Sequence, residues 1–314
     1  MTEPIIQRST NSLQNPLVFT LILNFNNYSD TVETIESVYS SDYDSNTLIL
    51  IENSTDKQII EKIRSRFPSL EIITNRENLG YAGGNNVGIQ AAIARGAEYI
   101  FILNNDVILE RDTLSKCINA IKRSPDCAAC QPLISFDNDR KKIWSAGTQL
   151  FLGYPRLYLK GQSIMRNGGK TPPFGLVGCA ILFRVSAMRE IGFFDELLFL
   201  MHEETDWCIR ARHRNFSLLV VTGAVAYHKI STTIRQFSKD YLYYTGRNWL
   251  LVGRKNYCTI HYWYILVTEM TIRFPYYVYH LAKRGQIKEI KYYLMGTIDG
   301  IRGVSGKADF KMTE

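Results

Sequence analysis

A chain of 314 residues with 46% hydrophobic content is apolar enough to bury a substantial core, which excludes a disordered chain and fits one large domain, alone or with an appended subdomain. Its formal charge of +7 calls for an anionic partner, and nucleic acid, a phosphorylated ligand or an acidic membrane surface would each satisfy it. Residues 1–16 read as a polar leader without the apolar core of a secretory signal, so Cys117, Cys127, Cys130, Cys179, Cys208 and Cys258 are expected as reduced thiols of a cytoplasmic protein.

The apolar run 17–23 predicts a buried strand, closed by Asn24-Phe25-Asn26-Asn27. Asp30, with Glu33 three residues on, predicts a capping-box start for a helix that turns Val32, Ile35, Val38 and Tyr39 inward. Residues 48–51 predict a second strand ending in Glu52-Asn53-Ser54-Thr55-Asp56, followed by a helix over 57–67. Next come a strand over 71–74, a glycine-rich loop over 75–86, a helix over 86–95 and a strand over 98–103 that runs into Asn104-Asn105-Asp106. Taken alone, that last cluster is equally a turn rich in Asn and Asp or a ligand site. The alternation implies a parallel sheet with helices on both faces, and its four polar tips then converge on one crevice at the strand ends.

Cys127-Ala128-Ala129-Cys130 has the C-x-x-C spacing but no second pair, and it reads as a strand entering Gln131-Pro132-Leu133 with the two thiols on opposite faces. Residues 17–133 thus make one half of the domain, and the shorter, glycine- and aromatic-rich pieces of 134–237 a second half covering the crevice. From 238 to 314 the chain turns helical. The apolar segment 257–282 is interrupted by His261, Glu269, Arg273 and Pro275 and is not a transmembrane span. Its aromatics, with Arg273, Lys283, Arg284, Lys288, Lys291 and Arg302, fit amphipathic helices lying on an anionic leaflet, or equally helices packing on the core or in a homodimer.

Three further features carry chemistry. The loop over 75–86 concentrates glycine where a backbone must approach a ligand, without matching G-x-G-x-x-G or a Walker lysine motif. Met201-His202-Glu203-Glu204-Thr205-Asp206 reads as the start of a helix. Acids there suit the macrodipole, but the apolar lead of Phe193-Phe194 and 197–200 is a setting that raises a carboxylate pKa towards general-base use. His228 ends a strand-like run and precedes Lys229, as a structural residue or as a metal or phosphate contact. No nucleic-acid module is recognisable.

Taken in order, Leu23-Asn24-Phe25-Asn26, Glu52 to Asp56, Asn78-Leu79-Gly80-Tyr81-Ala82-Gly83-Gly84-Asn85-Asn86, Asn104-Asn105-Asp106, Gly178-Cys179-Ala180, Gly192 to Glu196, His202 to Cys208 and Ala226 to Lys229 resemble the inverting glycosyltransferases of family 2, especially their rhamnosyltransferase-like branch. The resemblance implies an α/β protein of the GT-A fold, a Rossmann-like, mostly parallel sheet flanked by helices, here with a helical C-terminal extension. It implies donor contacts at Asn24, Asn26, Glu52 (reading the base), Asn78, Gly80, Asn85, Asn104 and Asn105. A divalent cation, Mn²⁺ or Mg²⁺, would be held by Asp106, standing where the family has its D-x-D element, and by His228. Gly178, Cys179 and Trp207 would face the acceptor. Lys229 and Arg247 are candidates for added positive charge at the diphosphate, or equally for structural ion pairs. Glu204 takes the place of the family's catalytic base, usually Asp, with Glu203 as the alternative. The branch points to dTDP-L-rhamnose as donor, with UDP-hexoses and UDP-galactofuranose as alternatives. The acceptor would be a saccharide on a polyprenyl diphosphate carrier, as in bacterial surface glycans, handled at the inner face of the plasma membrane. A non-catalytic nucleotide-sugar or glycan binder is the competing class.

Overall fold

The computed structural model describes residues 15–54, 56–164, 170–171, 173–229 and 238–310; all but the last two residues of the expected leader lie outside them. The chain opens by alternating β1 (Val18–Asn24), α1 (Tyr28–Tyr39), β2 (Asn46–Glu52), α2 (Lys57–Arg66), β3 (Glu71–Thr74), α3 (Gly80–Ala94) and β4 (Tyr99–Asn104). The four strands pair in parallel in the order β4-β1-β2-β3, so their C-terminal ends share one edge. β5 (Val107–Leu109), α4 (Thr113–Lys122), β6 (Cys127–Phe136), β7 (Ile143–Ser145), β8 (Thr148–Phe151), β9 (Tyr154–Leu157) and β10 (Lys170–Thr171) follow. Then come β11 (Ala180–Arg184), α5 (Val185–Ile191), α6 (Glu203–His213) and β12 (Ser217–His228). β11 lies antiparallel between β4 and β6, and β12 runs parallel to β6. The ten-stranded sheet is therefore mixed, with a parallel half at one side.

Helices cover both faces. Ile35 and Val38 of α1, Ile63 of α2 and Leu114 and Ile118 of α4 pack on one; Ile89 of α3, Met188 of α5 and Trp207 of α6 pack on the other. Each such buried apolar side chain stabilises the fold by about 1.5–3 kcal/mol. The C-terminal region is α7 (Lys239–Asn256), α8 (Thr259–Thr268), α9 (Phe274–Lys283) and α10 (Ile290–Arg302), with α7 and α10 packed together. A π-helical turn, Glu269–Arg273, joins α8 to α9, and its buried Glu269–Arg273 ion pair interrupts the apolar segment. Among the described residues no helix is long and apolar enough to cross a membrane.

Three local expectations are corrected. α1 begins two residues before Asp30: the Asn27 side chain accepts from the Asp30 backbone N–H and caps the helix. The glycine-rich stretch is not a loop as far as Asn86, because α3 starts at Gly80. Its glycines sit inside the helix for close approach: a Cβ on Gly84 would lie 2.6 Å from Leu23 and one on Gly88 2.7 Å from Ile51. Cys127 and Cys130 join one core cluster rather than opposite ones, because β6 and β12 slip register at Ser217/Leu218. Both thiols are buried, and burial pushes that of Cys127 up to about 12.

Candidate active site

The four polar tips meet through side chains. Asn24 donates to Glu52 (2.6 Å) and accepts from Thr31 and Asn105, each at 2.8 Å. Asn53 donates to Asn78 (3.0 Å) and to the Gly80 carbonyl (2.9 Å), and accepts from Asn75 and the Leu79 N–H. Buried amides and carboxylates survive there because most of their polar atoms find a partner, Asn85 Oδ1 and Ser54 Oγ excepted among the described residues. Asn24, Glu52 and Asn85 are fully buried. The Glu52 carboxylate is engaged by Asn24 and by the Ser54 N–H, and Asn85 donates to the Tyr81 carbonyl. The structure thus places these three expected donor contacts behind the site wall, while Asn26, also absent from the cavity lining, is exposed with φ 53°.

In front of this lattice opens a cavity of ≈ 490 Å³, large enough for a nucleotide-sized ligand. Asn78, Gly80, Asn104, Asn105, Asp106 and His228 all line it. β5 and β12 pair Val107 with His228, which brings His228 Nε2 to 3.2 Å from Asp106 Oδ2. The Trp144 ring, 4.4 Å away edge-on, fixes the imidazole. Among the described residues no group of three or more His, Cys, Asp or Glu side chains is arranged to hold a metal ion. A carboxylate oxygen and an imidazole nitrogen converging on a cavity suit a hard divalent cation that takes its other ligands from phosphate oxygens and water. The fit to Mn²⁺ or Mg²⁺ is good.

The acidic pair stands next to this cavity. Tyr81, on its wall, donates to the Gly178 carbonyl, and a methyl added at Gly178 would lie 3.0 Å from the Tyr81 hydroxyl and 3.7 Å from Glu204 Cγ. Glu204 is the more accessible of the two acids; Glu203 is buried, and its Oε2 finds no hydrogen bond among the described residues. Burial raises the Glu204 carboxyl above its ordinary range, and burial together with the neighbouring Glu204 raises that of Glu203 strongly. The segment leading into α6 is contorted: Phe199, Met201 and His202 have φ of 58°, 72° and 73°. Asn248 of α7 holds it by donating to the carbonyls of Leu198 (2.8 Å), Leu200 (2.6 Å) and Met201 (2.8 Å). The Phe199 carbonyl in turn accepts from the Tyr81 N–H at 2.8 Å, and only glycine fits at position 80, where a Cβ would meet that oxygen at 2.2 Å.

Other expected contacts lie elsewhere. Trp207 is fully buried, donating to the Gly192 carbonyl at 2.8 Å with Phe183 edge-on to its ring. Cys179 is buried below Gly178, its carbonyl accepting from the Asn104 N–H. Lys229 pairs with Asp30 (3.0 Å) and Glu33 (2.8 Å). Arg247 is fully buried, donating to Asn248 and the Gly306 carbonyl, both at 2.8 Å, with its guanidinium over the Tyr243 and Tyr244 rings. Sequence reasoning missed Trp144, Phe199 and Tyr244 as wall residues, and also Lys307, Ala308 and Phe310. The last three arrive because Gly303 and Gly306, both at φ 82°, turn the chain back after α10; that glycine pair was the available signal.

Comparison with known proteins gives the family and the fold. The model for "Glycosyl transferase family 2" matches residues 20–192. A dTDP-rhamnosyl transferase of Shigella flexneri, RfbF, is 23% identical over 279 residues, covering 82% of this chain and 87% of the relative. A hexosyltransferase of low-salt glycan biosynthesis in Haloferax volcanii is 21% identical over 288 residues, covering 88% and 90%. Among solved structures, a mannosyltransferase from Pyrobaculum calidifontis in complex with GDP-Man and Mn²⁺ superposes with TM-score 0.55 at 12% identity, over 91% of this chain and 87% of that one; at such identity the likeness carries the fold. Strand-end cavity, Asp106–His228 pair and adjoining acids thus sit on a GT-A scaffold, and the chain belongs to the family 2 glycosyltransferases.

Proposed function

We propose that this glycosyltransferase moves L-rhamnose from dTDP-L-rhamnose, with inversion at the anomeric carbon, to a saccharide carried on a polyprenyl diphosphate. The observation that carries the transfer reading is the placement of the acidic pair beside a cavity that Asp106 and His228 line. The choice of rhamnose leans on the likeness to the Shigella flexneri relative.

In this mechanism the cavity receives the nucleoside diphosphate, with Asn78 and Asn104 offering amides to it and Asn105, whose two N–H groups go to Asn24 and Thr31, offering its side-chain oxygen to the ribose. Asp106 and His228 would hold the divalent cation, which when bound neutralises charge on the leaving diphosphate. Glu204 is the base: its carboxylate takes the proton of the acceptor hydroxyl as that oxygen attacks the face opposite the diphosphate. Glu203, buried and pushed towards its neutral form, leaves Glu204 as the ionised member of the pair. Glu52 and Asn24 act as positioning residues behind the wall.

A surface feature supports a membrane-borne acceptor. Ile260, Trp263, Tyr264 and Val267 form one exposed stripe on α8, Gly153 of the β8–β9 hairpin lies against Tyr264, and Phe151 and Leu152 beside it are exposed. Lys283, Arg284, Lys288 and Lys291 are exposed after and along the following helices. Exposed aromatic and aliphatic side chains in a region that also exposes several cations suit an anionic leaflet better than a dimer contact.

The test is a thermal-shift panel of dTDP-rhamnose, UDP-hexoses and UDP-galactofuranose, with and without Mn²⁺, followed by release of free nucleoside diphosphate on adding acceptor. Metal-dependent stabilisation by dTDP-rhamnose together with turnover is the expected result. Stabilisation by another donor reassigns the sugar, and binding without turnover overturns catalysis.

A further inference from the structure

A diphosphate in this cavity meets a shortage of positive charge. Its wall carries the carboxylates Asp106 and Asp240, and Lys307 is the one Lys or Arg among its described lining residues. The two cations expected there are committed elsewhere, Lys229 to Asp30 and Glu33 and Arg247 to backbone carbonyls and tyrosine faces. We propose that Lys307, delivered by the returning C-terminal segment, contacts the donor's diphosphate; the inference rests on the donor reading above and names a further residue for it.

The segment is built to present this side chain. Gly303 ends α10 in the left-handed conformation while the Val304 N–H reaches back to the Asp299 carbonyl at 2.9 Å. On either side of Lys307, Gly306 donates to the Leu197 carbonyl (2.6 Å) and accepts from Arg247 (2.8 Å), and the Ala308 N–H donates to the Tyr244 hydroxyl (2.8 Å). Phe310 stands edge-on to Tyr243 and Tyr292, with ring centroids 5.3 and 5.7 Å away. The backbone is pinned at four points while the ammonium remains at the cavity mouth, donating to the Asn78 carbonyl at 3.2 Å. Its ion pair with Glu77 is long, 3.8 Å, with both side chains more than half exposed, so little is lost when the ammonium turns to a phosphate. Lysine suits this role as a mobile point charge.

Titrate the full chain of 314 residues, with Mn²⁺ present, against UDP and dTDP and against uridine and thymidine. Lys307→Ala and Lys307→Gln should weaken binding of whichever diphosphate the wild type holds by about tenfold, the loss of one charge-assisted hydrogen bond. Nucleoside binding should be unchanged, and Lys307→Arg should recover most of the loss. Unchanged diphosphate affinity in Ala and Gln variants that unfold at the wild-type temperature would overturn the proposal, as would an equal loss for nucleoside and diphosphate, which is what a mere wall would give. If the wild type binds neither diphosphate, the donor reading itself fails and this inference falls with it.

Discussion

Removing the Asn248 amide tests whether the segment ahead of the acidic pair is held under tension. In Asn248→Ala the carbonyls of Leu198, Leu200 and Met201 lose their shared donor, with Leu198 keeping Arg247 Nη2 at 3.4 Å, and Arg247 Nε loses its acceptor at 2.8 Å. The amide has two hydrogens to share among the three carbonyls, so with the acceptor bond, at about 1 kcal/mol for each hydrogen bond, the variant should be about 3 kcal/mol less stable by urea denaturation. A second consequence is kinetic. With Phe199, Met201 and His202 at positive φ, the freed segment relaxes towards ordinary backbone, and the acids that follow it move. An ångström of misplacement costs about 100-fold in rate, so kcat should fall by about that factor while KM for the donor changes little. Asn248→Asp, which sets a carboxylate against three carbonyls, should be worse. A stability within about 0.5 kcal/mol of wild type, the range of an ordinary surface change, together with unchanged kcat would refute the argument.

Glu204→Gln should lower kcat about 10²–10⁴-fold with donor binding retained, and undiminished turnover removes Glu204 from the role of base. Because the base works ionised and burial raises its pKa, wild-type activity should rise with pH along a limb lying above the ordinary carboxylate range of about 4.3, and the limb should vanish in the Gln variant. Asp106→Ala should abolish the Mn²⁺-dependent part of nucleotide binding; a normal metal titration in that variant rejects the assignment. In flotation with anionic liposomes the full chain should rise with the vesicles and Trp263→Glu should sink, whereas no binding by the wild type ends the peripheral-membrane reading.

Strand ends were legible from the chain alone because an apolar run stopping at Asn or Asp has one period and one boundary: Glu71–Thr74 is met as read, and β1, β2 and β4 differ from the expected spans by a residue or two. The meeting of the four tips followed from parallel pairing. What the pattern could not carry was which polar tip residues are already satisfied by partners far along the chain. Glu52 is held by Asn24, 28 residues away, and Asn105 by Asn24, 81 residues away, facts of tertiary packing with no local trace. Arg247 and Lys229 stood near the site in sequence, yet carbonyls and carboxylates nearer to them took their charge. Helix starts failed for a related reason: Gly80 opens α3 because the Phe199 carbonyl, 119 positions on, leaves room for nothing larger.

Asp206 draws a boundary that the family match, ending at residue 192, does not show. Fully buried in α6, it is bonded by Arg210 of its own helix and by Lys255 and Asn256 at the far end of α7. With Asn248 gripping the preceding carbonyls, the middle and the C-terminal end of α7 are both bolted to the start of the acidic helix. The unit that evolution or an engineer can exchange among relatives therefore does not stop where the sheet stops. A chimera that takes its C-terminal helices from one transferase and its sheet from another must carry 197–206 along with α7, or the new partner will set the acids in the wrong place.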